Sequence, residues 1–178
     1  MCSRVQLAPR SAFPDCGWRE LVWGRSRAAG GHVPGREPDL GVGPVVYTAP
    51  VVLCVPSTHR LATRTSVSCE DLADEVVLTG ASPDYWREVL VPTRTPSGRP
   101  IAKGPAAADG MQLLAMVASG EAVCPGHALR YYAWPDIACI PVNEAPFGRW
   151  ALCRRTSSET DSIRDLAEVA EKSGPLSL

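Results

Sequence analysis

Short apolar segments alternate with segments of helical periodicity from residue 39 onward, and this alternation is the strongest constraint on the fold. Residues 51–55 (VVLCV) form a continuous apolar run that ends at Pro56, as is typical of a strand buried on both faces. A second run, residues 76–79, ends at Gly80. Strands that alternate with helices are typical of α/β proteins whose strands pair mostly in parallel. The sequence therefore predicts an α/β fold with mostly parallel sheets.

Terminating residues define two longer helices. Residues 109–119 place their apolar side chains on one side, and Gly120 follows where a left-handed cap is required. The last helix is predicted to begin near Ser158 and to close with Lys172 and Gly174, an order that the helix dipole and the C-cap both favour. The ends of both helices are thus predicted together with their apolar faces.

Two shorter signals predict local structure. Ser68 stands three residues before Asp71, which is the spacing of a capping box at the start of a short helix. Residues 39–43 (DLGVG) form a small apolar run that is predicted to stop at Gly43 and Pro44.

The charge balance argues against nucleic-acid binding. The chain has 18 Lys and Arg against 19 Asp and Glu, a net charge of −1. Proteins that grip phosphates usually carry a basic surplus or a basic stripe. No apolar run approaches the roughly 18 residues of a membrane span, and the first residues contain no apolar core of signal-peptide length. We therefore expect no membrane association and a cytoplasmic location.

The known motifs of catalysis are absent from the sequence. It contains no glycine-rich phosphate loop and no nucleophile elbow, and its three histidines are far apart. The seven cysteines form no C-x-x-C pair, and several sit in apolar, strand-like runs. Reduced structural thiols are the expected state in a cytosolic setting. Cys124 and His127 have C-x-x-H spacing, but Pro125 and Gly126 lie between them and no third zinc ligand is evident.

Five segments in order resemble the effector-binding domain of LysR-type transcriptional regulators. They are VVLCVPSTHRLATR, SVSCEDLADEVVL, GMQLLAMVASGEAVCPG, YYAWPDIACIPVNEAPFGRWALCRR and the terminal helix. The resemblance extends over about residues 39–172, and the ordered set is more specific than any one of its motifs. Two departures are Arg60, where the family usually has proline, and Ala122, where it usually has a second glycine.

The resemblance implies a type 2 periplasmic-binding-protein-like fold, in which two α/β lobes hold an effector between them. Residues 51–123 would form the second lobe, and residues 38–50 and 124–178 the remnant of an incomplete first lobe. Family members begin with a helix-turn-helix domain and a linker helix. Residues 1–37 resemble neither, so they are predicted to be an irregular or non-homologous segment of an N-terminally truncated regulator.

The implied function is sensing of a small-molecule effector, a small organic or aromatic acid, by a protein that is not an enzyme and has no cofactor or metal. The resemblance implies no direct DNA binding by this chain. Strand edges left unpaired by an incomplete first lobe would favour self-association.

Ligands of such folds lie outside the carboxyl ends of parallel strands and against helix N-termini. Residues 80–85 and 107–111 each follow a strand and open a helix, so they match those places. The implied effector-binding residues are Thr48, Ser82, Pro83, Tyr85, Asp109 and Gly110. Ordinary helix capping by Ser82, Asp84 or Asp109 is the alternative explanation. Asp84 and Asp109 would also disfavour a carboxylate directly beside them.

Two other classes of function stay open at this point. One is a secreted solute-binding protein of the same fold, which the lack of a recognisable signal peptide and the seven cysteines disfavour. The other is a thiol hydrolase that uses Cys124 and His127.

Overall fold

The computed structural model describes residues 28–32, 39–79, 92–107, 110–127 and 134–177 of the 178-residue chain. Its contacts divide the chain into two compact units, each described separately below. The first unit comprises residues 1–49 and 148–178, and the second comprises residues 50–147.

The described residues form ten strands and two α-helices. The strands are β1 (Ala28–His32), β2 (Leu40–Ala49), β3 (Val51–Pro56), β4 (Val67–Ser68), β5 (Val76–Thr79), β6 (Ala102–Ala106), β7 (Cys124–His127), β8 (Ile137–Asn143), β9 (Gly148–Arg155) and β10 (Leu176–Ser177). The helices are α1 (Gly110–Ala118) and α2 (Asp161–Ser173), with short 3₁₀-helices at Cys69–Asp74 and Thr156–Ser158. Neither α-helix has the length and apolar character that a membrane span requires.

The first unit contains a sheet of order β1-β9-β2-β10. Strand β9 pairs antiparallel with β1 and with β2, and Tyr47 of β2 stacks on Trp150 of β9 with ring centroids 5.2 Å apart. Strand β2 does not stop at Gly43 and Pro44 as predicted, because a register shift between Val42 and Val45 accommodates them. Such an irregularity is where a strand tolerates proline, which has no N–H to donate to the ladder.

Helix α2 packs against β2 and has the ends that its sequence indicates. It begins at Asp161, just after the predicted start near Ser158, and the Thr160 hydroxyl caps it by accepting a hydrogen bond from the Ile163 N–H (3.4 Å). Gly174 ends it with a φ of 69°, a conformation that glycine adopts without steric cost.

In the second unit, β3 is an inner strand of a sheet with order β4-β8-β3-β7. It pairs antiparallel with β7 and β8, while β5 and β6 form a separate parallel pair. The prediction of mostly parallel sheets is therefore wrong for the described residues, since the longest ladders are antiparallel. A strand covered on both faces has the same apolar run whatever the direction of its neighbours, so the sequence pattern could not distinguish the two arrangements.

The boundaries of the predicted lobes also differ from those of the units. Residues 124–147 were assigned to the first-lobe remnant, but β7 and β8 flank β3 and belong to the second unit. An inner strand needs a hydrogen-bonding partner on each side, and these two strands supply them. Residues 1–37 are predicted to be an irregular or non-homologous segment, and β1 lies within them and pairs with β9.

A buried carboxylate anchors the turn after β3. Glu75 is only 9% exposed and accepts from the Arg60 guanidinium, with His59 Nε2 3.2 Å from its other carboxylate oxygen. Arg60 is one of the two departures from the pattern that the sequence resembles, and this ion pair gives it a structural role. Nearby, the predicted capping box is confirmed, with the Ser68 N–H donating to Asp71 Oδ2 at 2.8 Å.

Replacing Arg60 with alanine should destabilise the second unit because it removes the guanidinium partner of a buried carboxylate. We expect the free energy of unfolding to fall by about 1–2 kcal/mol, the range for a hydrogen bond to a charged group reduced by the exposure of the arginine. Urea titration followed by circular dichroism measures the change. Arg64→Ala is the matched control, since its pair with Asp71 is exposed, and should cost within about 0.5 kcal/mol. Equal losses in both variants would refute the anchoring role of Arg60.

Candidate functional site

The carboxyl ends of two parallel strands meet at one edge of the second unit. Strands β5 and β6 pair in parallel with Thr79 opposite Ala106. The Thr79 hydroxyl lies within hydrogen-bond distance of the carbonyl oxygens of Gly104 (3.2 Å) and Pro105 (3.3 Å), and the Ala107 N–H donates to the Thr79 carbonyl (3.0 Å). We call this place, formed by Thr79, Ala106, Ala107 and the start of α1, the β5–β6 edge.

Helix α1 begins three residues after Ala107, which lies at the β5–β6 edge. Gly110, its first residue, is buried, and the helix has no acidic side chain in its first turn. The unpaired N–H groups of a first turn carry a partial positive charge, which acidic side chains there would offset. The arrangement of strand ends and a helix start is the one at which α/β proteins bind anions and polar small molecules.

Only part of the predicted site falls on described residues. Ser82, Pro83, Tyr85 and Asp109 lie outside them, in segments 80–91 and 108–109. The structure does describe where these two segments start: one leaves the end of β5, and the other leaves the end of β6 through Ala107. Because Thr79 and Ala107 are hydrogen-bonded to each other, both predicted segments begin at the same edge.

The two remaining predicted residues lie in different units. Gly110 is at the β5–β6 edge, whereas Thr48 is in β2 of the first unit, half-buried and opposite Arg149 of β9. Of the six predicted positions, the structure thus describes Thr48 and Gly110, one in each unit. Thr79 is a further candidate that is not among the six predicted residues. A polar residue at the end of an apolar strand was the sequence signal that could have indicated it.

The environment of Cys124 does not favour the hydrolase alternative. Burial raises the pKa of Cys124 to about 12, and its thiol lies 3.5 Å from the Pro125 carbonyl oxygen. A thiol nucleophile needs a lowered pKa and an exposed microenvironment, and Cys124 has neither. Within the described ranges, no cluster of three or more His, Cys, Asp or Glu side chains is arranged to hold a metal ion.

A sequence comparison identifies the family. The model of the LysR substrate binding domain matches residues 28–174, which is most of the chain. The chain belongs to the LysR substrate-binding domain family. No curated protein matches it in sequence.

Solved structures of regulators share the fold, which is type 2 periplasmic-binding-protein-like. HinK, a LysR family transcriptional regulator from Pseudomonas aeruginosa, is similar with a TM-score of 0.68 and 16% identity, over 92% of this chain and 58% of HinK. The BenM effector-binding domain with its effector benzoate has a TM-score of 0.65 and 18% identity, over 87% of this chain and 72% of that domain. The reduced OxyR regulatory domain from Pseudomonas aeruginosa has a TM-score of 0.63 and 22% identity, over 90% of this chain and 78% of that domain. The chain thus spans little more than half the length of HinK.

The raised pKa of Cys124 leads to a labelling prediction. At neutral pH almost all of this thiol is protonated, so iodoacetamide should leave Cys124 unmodified in the folded chain and alkylate it after unfolding in urea. Peptide mapping by mass spectrometry measures both states. Labelling of folded Cys124 as fast as that of the unfolded chain would restore the hydrolase alternative.

Proposed function

We propose that this chain binds a small organic or aromatic acid as an effector, with the β5–β6 edge as the core of the binding site. It would act as the sensing domain of a LysR-type transcriptional regulator. The observation that carries the proposal is the hydrogen bond from the Ala107 N–H to the Thr79 carbonyl, which joins the ends of β5 and β6 just before the buried first residue of α1. Membership of the LysR substrate-binding family and the complex of BenM with benzoate support the same class of ligand.

The predicted residues take complementary roles in this proposal. Backbone N–H groups near Gly110 and the Ser82 hydroxyl donate to the carboxylate or another polar group of the effector, and the Tyr85 ring packs on its apolar part. Thr48, Pro83 and Asp109 complete the proposed set. Asp109 sets a limit on the effector, since an anion placed directly against its side chain would be repelled.

We infer that the chain works in the cytoplasm, self-associates, and makes no specific contact with DNA by itself. The last inference follows from 18 cationic side chains balanced by 19 anionic ones, which supplies no overall attraction to a phosphate backbone.

Titration with benzoate, monitored by ¹H–¹⁵N NMR of the full chain, tests the site. Chemical shifts should move most at the amides of Thr79, Ala107 and Gly110. We expect a Kd of about 1 mM, since contacts from this edge alone supply about 4 kcal/mol. Benzamide, the neutral analogue, should bind more weakly than benzoate because it gains less from the helix N-terminus.

Two substitutions and one control complete this test. Ser82→Ala and Tyr85→Ala should each weaken benzoate binding about tenfold, which corresponds to a loss of about 1.4 kcal/mol. Ser119→Ala is the matched control, since Ser119 lies at the other end of α1, where its hydroxyl donates to the Met116 carbonyl. If neither Ser82→Ala nor Tyr85→Ala alters the affinity for benzoate, the ligand binds elsewhere and the proposed site is contradicted. Chemical-shift changes centred on Cys124 would contradict it as well.

A further inference from the structure

Three cysteines lie side by side on three adjacent strands of the second unit. Cys54 of β3 is directly opposite Cys139 of β8 on one side and Cys124 of β7 on the other. Directly opposite residues of antiparallel strands project to the same face of the sheet. The three thiols therefore form one row across the sheet, which we call the cysteine row.

The first two members of the cysteine row are in contact. The sulfur atoms of Cys54 and Cys139 are 3.4 Å apart, and all five cysteines of the described residues are free thiols. Opposite residues in an antiparallel pair have Cα atoms about 4.5–5.5 Å apart, within the range of about 4.4–6.8 Å that a disulfide spans. Oxidation of this pair therefore needs rotation of the side chains and little movement of the backbone.

The two contacting thiols differ in exposure and in acidity. Cys54 is fully buried, whereas Cys139 is half-buried and so reachable by a small reagent. The hydrogen bond from the Cys54 thiol stabilises the Cys139 thiolate and lowers the pKa of Cys139, while the same hydrogen bond and burial raise the pKa of Cys54. Cys139 is thus suited to attack an oxidant, and Cys54 is placed to resolve the product.

We propose that Cys139 and Cys54 form an oxidisable dithiol site that reacts with hydrogen peroxide to give a cross-strand disulfide. The Cys139 sulfur attacks a peroxide oxygen: an S–O bond forms, the O–O bond breaks, and the departing hydroxide becomes water on protonation. The Cys54 sulfur then attacks the Cys139 sulfenic acid, forming the S–S bond and breaking the S–O bond. The hydroxide released takes the Cys54 proton as a second water, so two thiols are oxidised and one peroxide is reduced.

This site is separate from the proposed effector site and depends on different side chains. Its face of β3 is opposite to the one that carries Leu53 and Val55 into the apolar core. Cys124, the third member of the row, is buried and has its pKa raised to about 12, whereas Cys139 is half-buried and its sulfur lies 3.4 Å from that of Cys54. The disulfide is therefore expected between Cys54 and Cys139.

Treatment of the reduced full chain with a small molar excess of hydrogen peroxide tests the proposal. Non-reducing peptide mapping should identify a cross-linked peptide that contains Cys54 and Cys139, and dithiothreitol should reverse it. The rate of its formation should rise with pH and level off below the ordinary pKa of a cysteine, because the pKa of Cys139 is lowered. Wild-type chain that gives no such peptide, or links these cysteines mainly to others, would overturn the proposal.

Variants separate the roles of the two thiols. Cys54→Ser should stop at a Cys139 sulfenic acid, which dimedone labels, and Cys139→Ser should slow oxidation of Cys54 at least about tenfold. Cys153→Ser is the matched control, a buried cysteine of the first unit, and should leave the Cys54–Cys139 peptide unchanged. Circular dichroism verifies that each variant is folded. Oxidation of Cys54 at an undiminished rate in folded Cys139→Ser would show that Cys139 is not the attacking thiol.

Discussion

The burial of β3 between β7 and β8 is the constraint on which the second unit depends. Its residues from Val52 to Pro56 are all buried, so both of its faces are covered. Leu53 and Val55 enter the apolar core, and burying an aliphatic side chain of this kind contributes about 1.5–3 kcal/mol relative to exposure. With partners on both sides, the backbone of β3 has its hydrogen bonds within the sheet.

The other face of β3 carries the cysteine row, at positions where a protein core usually has aliphatic side chains. A cysteine behaves as a small hydrophobe, so a row of three costs little packing energy in a covered sheet. What distinguishes the row from ordinary packing is the direct register, which puts one sulfur within hydrogen-bond distance of its neighbour.

Local sequence signals predicted the elements whose ends are set by local chemistry. The capping box at Ser68, the glycine that ends α2, and the apolar runs of β3 and β5 were all read correctly from neighbouring residues. Strand direction and partner choice are set by contacts distant in sequence, so the antiparallel pairing and the placement of residues 124–147 were not predictable from periodicity. The proposed effector-binding residues came from the family resemblance, and most of them lie outside the described residues.

Strand β6 shows why the candidate site was only partly predictable. Its sequence, AKGPA, has neither alternation nor β-branched residues, and Gly104 and Pro105 normally weaken a strand. The structure supplies the reason for the glycine: a Cβ at Gly104 would lie 2.9 Å from Val76 Cγ1 and 3.1 Å from the Val77 carbonyl oxygen. Close approach of the two backbones is what brings Thr79 to the Gly104 and Pro105 carbonyls.

Helix α1 connects the two proposed sites within the second unit. It starts at the β5–β6 edge, packs on β3 and β8, and is followed by Gly120, where an added Cβ would lie 3.8 Å from Pro56 Cγ. Pro56 is two residues beyond Cys54 in β3, so it lies on the same face as the cysteine row. Side-chain rotation on oxidation would therefore occur beneath a helix whose first turn belongs to the proposed effector site. A shift of that helix by less than an ångström would alter the donors offered to an effector, because hydrogen bonds weaken steeply with misalignment.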